Sequence, residues 1–515
     1  MPRPSLPLGT ISLDPQAGPP LYRQLYDALR EAILDGRLGA GARLPSSRAL
    51  AADLAIGRNT VLAAYEQLAA EGYLEGRIGS GTRIASHLPD RLLEAASHPR
   101  SADAGEHAAP VSLSRRGQAL SLIRRPVSRY ERGQGRAFQH GLPSIEHFPF
   151  ELWGRLLARR ARDRNGSILG YETVEGFLPL REAIAAHAGA ARGAICTPDH
   201  VIVTTGAQAA LDLVARMALD PGDRVWIEEP GYIGARGAFL GAGADLVPVP
   251  VDDEGLDVEA GLAAEPNPRL IYVTPSHQFP LGVTLSLQRR LALLDAAKRA
   301  GAWIVEDDYD SEYRFTGRPI ACLQGLDRAH RTLYMGTFAK TLFPALKLGY
   351  LIVPDRLVDP FRAAIRSSGH IPPAAMQAAL ADFMHGGHFG THVRRMLGIY
   401  AERRACLAAR LEGELSGFLT AAPSEGGMQV AAWLTSAGKD AAASAAAAHA
   451  DVIATPLSTY YIGAKKRQGL HLGFAAIPEP MIKKAAQRLE NALSLHEKET
   501  RSQAPHTVKS SRARR

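Results

Sequence analysis

The sequence predicts two folded parts of different class: a small α+β domain near the N-terminus and a large α/β domain with a mostly parallel central sheet. Residues 18–85 contain helical patterns followed by a glycine-rich hairpin pattern. Residues 136–495 alternate short apolar strands with helical patterns, which is typical of a parallel sheet covered by helices. A chain of 515 residues is also too long for a single core.

The segments outside these two parts are polar and basic. Residues 86–135 are rich in Ala, Ser, Pro, His and Arg, so we expect a linker with some helical propensity. Residues 496–515 have the composition of a basic, disordered tail. The net charge of the chain is +8. Basic flanks of this kind suit a polyanionic partner, and solvated linkers have the same composition.

Composition excludes several classes of protein. No run of 18 apolar residues could span a bilayer, and the first residues lack the apolar core of a signal peptide. Cys196, Cys322 and Cys406 are widely spaced, which fits a reducing compartment and argues against a zinc site. We therefore expect a cytoplasmic protein with no membrane partner and no bound metal.

The N-terminal pattern predicts three helices and a wing. Apolar residues recur at helical spacing over residues 21–33, and Ser46 or Ser47 can cap a second helix. A third helix starts near Arg58. We expect its inner face to contain Val61, Tyr65, Leu68 and Ala69. Residues 72–85 alternate around a Gly-Ser-Gly turn, as a two-stranded wing does. Together these elements predict a winged helix-turn-helix, whose third helix enters the major groove of DNA.

The run RLPSSRALAADLAIGRNTVLAAYEQLAAEGYLEGRIGSGTRIA, residues 43–85, resembles the DNA-binding domain of the GntR family without a gap. The resemblance implies that the residues facing DNA are Arg43, Arg48, Arg58, Asn59 and Thr60. In the wing it implies that Arg77 and Gly79 approach the minor groove or the phosphates. Arg can form two hydrogen bonds with guanine, whereas Thr and backbone amides bind phosphate. One such domain carries little net charge, so we expect a dimer on a double-stranded DNA operator.

The large domain has a lysine at the carboxyl end of a predicted strand. Lys340 lies in GTFAKTLFPALKLGY, residues 336–350, directly after the apolar segment TLYMG. Open α/β sheets bind their ligands at this end of their strands. A partly desolvated amine near a second cation has its neutral form favoured and can condense with an aldehyde. The alternative is a solvated surface lysine, and the surrounding motifs argue against it.

Three further motifs follow predicted strands: TTGAQAAL (204–211), EEPGYIGAR (228–236) and WIVEDDYDSEYR (303–314). With these motifs the chain resembles fold-type I aminotransferases, which use pyridoxal 5′-phosphate (PLP), from about residue 136 to the end of the folded part. The two resemblances in tandem match the MocR subfamily of GntR regulators. They imply PLP as the cofactor and a head-to-tail homodimer.

The resemblance assigns five residues to the phosphate of PLP. Gly206 allows a close approach, and the amides of Ala207 and Gln208 point from a helix N-terminus toward the phosphate. Lys347 stands where the family usually has an Arg, so the bidentate fork is lost and a point charge remains. Tyr171 is similar to the tyrosine that reaches the phosphate in the neighbouring subunit.

The resemblance assigns another set to the ring and aldehyde of PLP. Tyr232 places its aromatic ring against the cofactor ring. Asp307 keeps the pyridine nitrogen protonated, so that the ring accepts electrons, and Asp308 is the alternative if the register differs by one. Tyr309 bonds the ring hydroxyl, and Lys340 forms the Schiff base with PLP.

Several positions depart from the aminotransferase pattern. Phe279 stands where aminotransferases have an Asn that bonds the ring hydroxyl, a departure that MocR relatives share. His471 stands in place of the Arg that clamps a substrate α-carboxylate, although it could instead be a hydrogen-bonded core histidine. Gly234 stands where relatives that sense γ-aminobutyrate carry an Arg, which disfavours that effector.

The sequence therefore predicts a PLP-binding, DNA-binding transcriptional regulator associated with the nucleoid. PLP held as an internal aldimine on Lys340 would sense the level of PLP, or an amine or amino-acid effector, and alter operator binding. An active PLP-dependent aminotransferase with an accessory DNA-binding domain is the alternative; the missing Asn and Arg argue against efficient turnover but leave residual transamination open. A third alternative is a DNA-binding scaffold without PLP.

Overall fold

The computed structural model describes residues 11, 13–15, 18–77, 81–86, 113–123, 130–131, 134–164, 166–170, 174–317, 321–436, 438–463 and 466–502. The chain divides into two compact units, a small unit (Met1–Ser112) and a large unit (Leu113–Arg515). Within the described ranges, no helix is both long enough and apolar enough to cross a bilayer.

The small unit has the predicted three helices and wing. Its elements are α1 (Leu21–Leu34), α2 (Ser47–Asp53), α3 (Arg58–Ala70), β1 (Leu74–Arg77) and β2 (Gly81–Ile84). The two strands pair antiparallel, with Leu74 opposite Ile84 and Arg77 opposite Gly81. The winged helix-turn-helix prediction is confirmed.

The core of the small unit is formed by one buried face of each of its three helices, α1, α2 and α3. Ser46 caps α2, since its Oγ accepts a hydrogen bond from the amide of Ala49 at 3.2 Å. On α3, three of the four residues predicted for the inner face are buried, namely Val61, Tyr65 and Leu68. The prediction for Ala69 is wrong: it is exposed, and Ala64 is buried instead. Positions 61, 64, 65 and 68 follow the spacing of one helical face, whereas 69 lies beyond it.

The large unit alternates helices and strands. Its helices are α4 (Arg115–Ser121), α5 (Phe150–Ala161), α6 (Gly166–Leu169), α7 (Leu178–Arg192), α8 (Ala207–Ala218), α9 (Ile233–Ala242), α10 (Val258–Ala264), α11 (Leu287–Ala300), α12 (Leu323–Leu326), α13 (Asp355–Ser368), α14 (Ala374–His385), α15 (His388–Glu412), α16 (Asp440–His449) and α17 (Glu479–Ser502). Short 3-10 helices span Ile145–His147, Pro198–His200, Pro344–Leu346 and Leu457–Tyr460. Its strands are β3 (Tyr130–Glu131), β4 (Gln134–Gly135), β5 (Val201–Thr204), β6 (Arg224–Glu229), β7 (Asp245–Asp252), β8 (Gly255–Leu256), β9 (Leu270–Val273), β10 (Trp303–Asp308), β11 (Thr332–Thr337), β12 (Gly349–Ile352), β13 (Leu419–Ala421), β14 (Gln429–Leu434), β15 (Thr455–Pro456) and β16 (Gly469–Gly473).

The main sheet is mostly parallel, as predicted. In the described chain its order is β5-β12-β11-β10-β9-β6-β7-β8. The pairs β11–β10, β10–β9, β9–β6 and β6–β7 are parallel, and β12 runs antiparallel to both of its neighbours. The carboxyl ends of β5, β6, β9, β10 and β11 therefore meet at the same edge of the sheet.

The large unit also contains a smaller antiparallel sheet with the strand order β13-β14-β16-β15. Helices α15, α16 and α17 supply buried residues to its core, for example Leu407, Ala447 and Leu489 beside Leu470. The main sheet is covered on its two faces by separate clusters of buried side chains. The sheets and their helices form the rigid frame on which the loops at the strand ends are held.

Two helices of the structure extend into segments that were predicted to be the linker and the tail. Helix α4 lies inside the predicted linker and packs on α9, where a Cβ added at Gly241 would lie 3.3 Å from a methyl carbon of Leu120. The helix α17 continues to Ser502, into the predicted tail. Residues 87–112 and 503–515 lie outside the described residues, so the linker and tail limits stay predictions.

Candidate cofactor and DNA-binding sites

A cavity of about 340 Å³ lies where the strands of the main sheet end. This volume is typical of small-molecule sites. The cavity is lined by eight of the residues predicted to bind PLP: Gly206, Ala207, Gln208, Tyr232, Asp307, Tyr309, Lys340 and Lys347. The ninth, Tyr171, lies outside the described residues. The fold thus gathers at one place residues that are separated by up to 141 positions in the chain.

The predicted phosphate end of the cavity is formed by a helix N-terminus. Gly206 precedes α8 with φ of 89°, a left-handed conformation that favours glycine, and no atom lies within 4 Å of a Cβ added there. The first amides of α8 have no partner within the helix, which makes this end suited to an anion. Lys347 lines the same cavity and is exposed.

Lys340 lies in the loop after β11, and its amine is held at the cavity. Its Nζ donates a hydrogen bond to the carbonyl oxygen of Gly141 at 2.7 Å. Gly141 has φ of 77°, and a Cβ there would lie 3.0 Å from Nζ. A side chain at position 141 would therefore press against the amine in its present position.

The structure separates the two candidate carboxylates. Asp307 lines the cavity, and its Oδ2 accepts a hydrogen bond from the Tyr272 hydroxyl at 2.6 Å. Within the described residues the Oδ1 of Asp307 is buried without a hydrogen-bond partner, and so is the Oδ1 of Asp308. Asp308 is not among the lining residues. Its Oδ2 accepts hydrogen bonds from Arg192 Nε at 2.7 Å and the Tyr334 hydroxyl at 2.6 Å. The geometry favours Asp307 as the residue facing a ligand.

Burial shapes the protonation of Asp307. Removal from water raises the pKa of its carboxyl to about 7, even though the hydrogen bond from Tyr272 acts to lower it. An incompletely paired buried carboxyl is costly, and a cation placed at its free oxygen would relieve that cost. A protonated ring nitrogen is such a cation.

Tyr309 follows β10 directly and is anchored by a histidine. Its hydroxyl oxygen lies 2.9 Å from Nδ1 of His277, and the same nitrogen lies 3.1 Å from both carboxylate oxygens of Asp310. Burial, followed by the charges of Asp310 and Asp307, raises the pKa of Tyr309 well above its ordinary value. The phenol therefore stays neutral and can donate or accept a hydrogen bond.

Tyr232 packs over a glycine at the start of α9. A Cβ added at Gly234 would lie 2.5 Å from the Tyr232 ring and 2.6 Å from the side-chain oxygen of Gln208. The amide nitrogen of Gln208 donates to the carbonyl oxygen of Gly234 at 3.0 Å. A side chain at position 234 would displace both neighbours. The close packing of Tyr232 and Gln208 over Gly234 therefore keeps this corner of the cavity small.

The cavity also contains residues that were not predicted as site residues. His140, Leu142, Gln429 and Tyr460 line it, and Tyr272 holds Asp307 from the neighbouring strand β9. A tyrosine in the otherwise aliphatic segment LIYVT was a detectable signal for Tyr272. His140 and Leu142 come from the loop that precedes α5, and Gln429 and Tyr460 from the region of the small sheet. No local sequence pattern marks these four residues.

These features fit PLP. A carboxylate oxygen without a partner, a primary amine and a helix N-terminus surround one cavity of suitable size. They match the ring nitrogen, the aldehyde and the phosphate of this cofactor. No group of His, Cys, Asp and Glu in the described part of the chain could hold a metal ion.

In the small unit, four of the side chains predicted to contact DNA lie at the surface. Arg43, Arg48, Arg58 and Asn59 are exposed, and Thr60 is half-buried at the start of α3. The guanidinium of Arg43 lies against the wing, since a Cβ added at Gly81 would be 2.9 Å from its Nε. Arg77 is the last residue of β1, and Gly79 lies outside the described residues. The DNA contacts of all these residues stay predictions.

Both units match known families. Residues 21–84 match the family described as bacterial regulatory proteins, gntR family. Residues 146–489 match the family described as aminotransferase class I and II. The two matches correspond to the small unit and to most of the large one.

Whole-length relatives share both units. The chain is 46% identical over 482 residues to the probable rhizopine catabolism regulatory protein MocR of Rhizobium meliloti, covering 94% of this chain and 95% of that protein. It is 31% identical over 488 residues to the HTH-type pyridoxine biosynthesis transcriptional regulator PdxR of Corynebacterium glutamicum, covering 94% and 98%.

A solved structure shares the fold of the large unit. It is LysN, an α-aminoadipate aminotransferase from Thermus thermophilus, complexed with N-(5′-phosphopyridoxyl)-L-leucine. The TM-score is 0.66 at 28% sequence identity, and the similarity covers 71% of this chain and 94% of that chain.

Proposed function

The chain belongs to the MocR group of GntR-type transcriptional regulators, and from this premise we propose how its cofactor cavity controls its DNA-binding unit. As a member of this group it is a DNA-binding regulator whose large, aminotransferase-type unit binds PLP. The proposal concerns the residues that hold PLP, the ligand that is sensed, the assembly and the effect on DNA.

The lining residues would hold PLP in the roles that the resemblance implies. Asp307 offers its free oxygen to the ring nitrogen, Tyr309 bonds the ring hydroxyl and Tyr232 packs against the ring. The amides after Gly206 and the ammonium of Lys347 hold the phosphate. Their common lining of one cavity supports this assignment. When bound, PLP supplies an aldehyde that condenses with a primary amine and a ring that accepts electrons.

Lys340 would be the amine that fixes the cofactor and responds to a ligand. Its Nζ already lies at the cavity, held by the Gly141 carbonyl at 2.7 Å. A neighbouring cation disfavours protonation of such an amine, and Lys347 lines the same cavity. The state of Lys340 thus depends on the level of PLP and on competing amines, which is the basis for sensing.

Sensing must act through a difference in affinity. PLP or an amine effector would bind more tightly to one arrangement of the protein than to another, and the favoured arrangement would bind the operator differently. The observation that carries this proposal is that the Oδ1 of Asp307, which has no hydrogen-bond partner among the described residues, belongs to the same cavity as the Lys340 amine in a chain with a winged helix unit.

The regulator would act as a head-to-tail homodimer on the chromosome. Winged helix units bind DNA half-sites in pairs, and the symmetry of an operator mirrors that of a dimer. The predicted role of Tyr171 at the phosphate of the neighbouring subunit also requires a second chain. A DNA operator as partner places the protein in the cytoplasm, associated with the nucleoid.

Footprinting on the operator, with and without PLP, tests the regulatory proposal. The proposal expects PLP to change the protected length or the protein concentration at half protection. An identical footprint at identical concentrations, from protein shown to contain PLP, would argue against sensing.

The alternative function is that of a working aminotransferase. The aminotransferase fold favours it, but Phe279 and His471 replace the two side chains that would bond the ring hydroxyl and a substrate α-carboxylate. Steady-state transamination of common amino acids, followed by product formation, distinguishes the two. Turnover at about 1–1,000 per second, the usual enzyme range, would favour the enzyme.

A further inference from the structure

One side of the cofactor cavity consists of side chains without charge. We call it the neutral wall: His140, Phe279, Gln429 and Tyr460, which line the cavity, together with His471 packed behind them. The Phe279 ring centroid lies 5.2 Å from that of Tyr460 and 5.3 Å from that of His471. Within this wall, His471 is the residue that the resemblance puts in place of the Arg that clamps a substrate α-carboxylate.

The two imidazoles of the neutral wall stay unprotonated at neutral pH. Burial, then the charge of Lys340, lowers the pKa of His140 to about 4. Burial, then the neighbouring His140, lowers the pKa of His471 well below its ordinary value. Their rings stack with centroids 4.6 Å apart, and the Tyr460 hydroxyl lies 3.2 Å from His140 Nε2 and 3.3 Å from His471 Nδ1. In the cavity without a ligand, neither ring is therefore a cation at neutral pH.

The cations of the cavity are already committed. Among the described lining residues, the positively charged side chains are Lys340 and Lys347. In the proposed function, Lys347 holds the phosphate, and Lys340 holds the aldehyde until a competing amine displaces it, when its amine can return to the Gly141 carbonyl. A ligand carboxylate entering beside the neutral wall would therefore be buried without a counter-ion, which is costly.

The neutral wall can instead satisfy uncharged polar groups. His140, Gln429 and the Tyr460 hydroxyl line the cavity, and behind them the buried Nε2 of His471 has no hydrogen-bond partner within the described residues. Imidazole, amide and phenol groups can each donate or accept a hydrogen bond without carrying charge. Hydroxyl groups match such partners, and the ring of Phe279 offers an apolar surface beside them.

We infer that the effector of this regulator is a primary amine that carries hydroxyl groups and no carboxylate. The inference rests on the proposed function, because it takes the amine to act at the PLP-bearing cavity. On this inference, the uncharged side chains of the neutral wall distinguish the ligand of this chain from the amino acids that other members of the same fold bind.

Matched amine pairs test the inference on the PLP-loaded wild-type chain. The probes are 2-aminoethanol against L-serine, and tyramine against L-tyrosine; each pair differs by one carboxylate. Dissociation constants come from isothermal titration calorimetry at fixed pH and salt. We expect the member without the carboxylate to bind about tenfold or more tightly in both pairs, since an unpaired buried charge is heavily penalised.

A substitution in the neutral wall should reverse this preference. His471→Arg adds a cation directly behind the residues that line the cavity, so L-serine should gain on 2-aminoethanol by about tenfold or more. His449→Arg makes the same change at an exposed helix end and should leave the preference unaltered. Thermal unfolding shows whether His471→Arg folds; if it does not, the wild-type pairs alone decide.

The outcomes separate this inference from the function on which it rests. Covalent attachment of PLP at Lys340, shown by mass after borohydride reduction, is established first, and its failure would contradict the proposed function. With PLP attached, tighter binding of the amines without a carboxylate supports the inference. Equal affinities, a preference for the amino acids, or no binding of any of the four probes would overturn it.

Discussion

The two units carry their functional side chains in opposite environments. In the small unit the side chains predicted to contact DNA, such as Arg48 and Arg58, are exposed. In the large unit Asp307 is 5% exposed and His471 is fully buried. An exposed Arg is solvated until DNA arrives, whereas a buried polar group without a partner already raises the free energy of the folded state. Ligand binding can therefore be coupled to the stability of the large unit.

This contrast decides what substitutions should do. Substitutions of exposed side chains in the small unit, such as Arg48 and Arg58, should alter DNA binding and leave the stability of the protein unchanged. Changes in the large unit should alter stability and cofactor binding in ways that depend on each group's neighbours. Four experiments test this contrast between the exposed DNA-contacting side chains and the buried cofactor residues, and each could contradict it.

The largest effect is expected for Lys340→Ala. Covalent attachment of PLP should be lost completely, because no other amine is held at that position by the Gly141 carbonyl. Stability should fall by only about 0.5–1.5 kcal/mol, the contribution of one hydrogen bond. Borohydride reduction followed by intact-protein mass measures attachment, with Lys298→Ala, at an exposed position of α11, as the control that keeps it. Global unfolding of Lys340→Ala would contradict the account.

The neighbouring carboxylates should respond in opposite ways. Asp308→Asn should lower the free energy of unfolding by about 3–5 kcal/mol, because the buried guanidinium of Arg192 loses its counter-ion. Asp307→Asn should keep the fold and weaken PLP binding by about 10–100-fold, since it removes a charge-assisted hydrogen bond. Urea unfolding and PLP titration measure both. If Asp308→Asn were the one that lost PLP, the assignment of Asp307 would be wrong.

The stability of the PLP-free protein should depend on pH through Asp307. Its pKa is about 7 in the folded protein against an ordinary 3.8, so between these values the folded state binds a proton that the unfolded state lacks. Stability from this group is therefore complete below about pH 4 and is lost as pH rises toward 7, by on the order of a few kcal/mol.

Comparison with Asp307→Asn isolates this titration, because Asn does not ionise. The difference in unfolding free energy between wild type and variant, followed from pH 4 to 8, should change in favour of the variant as pH rises. Saturating PLP should flatten the curve by pairing the carboxylate. A difference independent of pH would show that Asp307 does not titrate in this window.

The smallest effect is expected in the small unit. Arg58→Ala should weaken operator binding by about 1–3 kcal/mol if Arg58 contacts a guanine, with no change in melting temperature because the side chain is exposed. Fluorescence anisotropy on operator and unrelated DNA measures the loss, and Arg37→Ala is an exposed control outside the predicted contact set. An equal loss on all sequences would make Arg58 a phosphate contact.

Most of the fold could be predicted from the sequence because its elements carry strong local patterns. The apolar segment TLYMG predicted β11, and Ser46 before α2 is a capping signal that the structure shows in use. Strand β7 has a weaker local pattern, because Pro248 and Pro250 disfavour a strand. The sheet tolerates them because β7 has a full-length partner only in β6, and the short β8 pairs beyond both prolines.

The site was predicted less completely, for geometric reasons. Adjacent residues of a strand point to opposite faces, and both Asp307 and Asp308 are buried, so the sequence favoured Asp307 only through the family resemblance and left Asp308 as the alternative. The neutral wall joins His140 to Tyr460, which are 320 positions apart, and only the packing of the small sheet against the N-terminal loop brings them together. Sequence motifs identified the cofactor side because those residues follow strands directly.

The central claim, that PLP in the large unit alters DNA binding, is tested most directly by the operator dissociation constant with and without saturating PLP. Wild-type protein and Lys340→Ala are compared at one salt concentration. We predict that PLP changes the wild-type constant by about 5–150-fold, the usual range of coupling between sites, and leaves that of Lys340→Ala unchanged. A wild-type constant that stays the same when PLP is covalently attached would contradict the account.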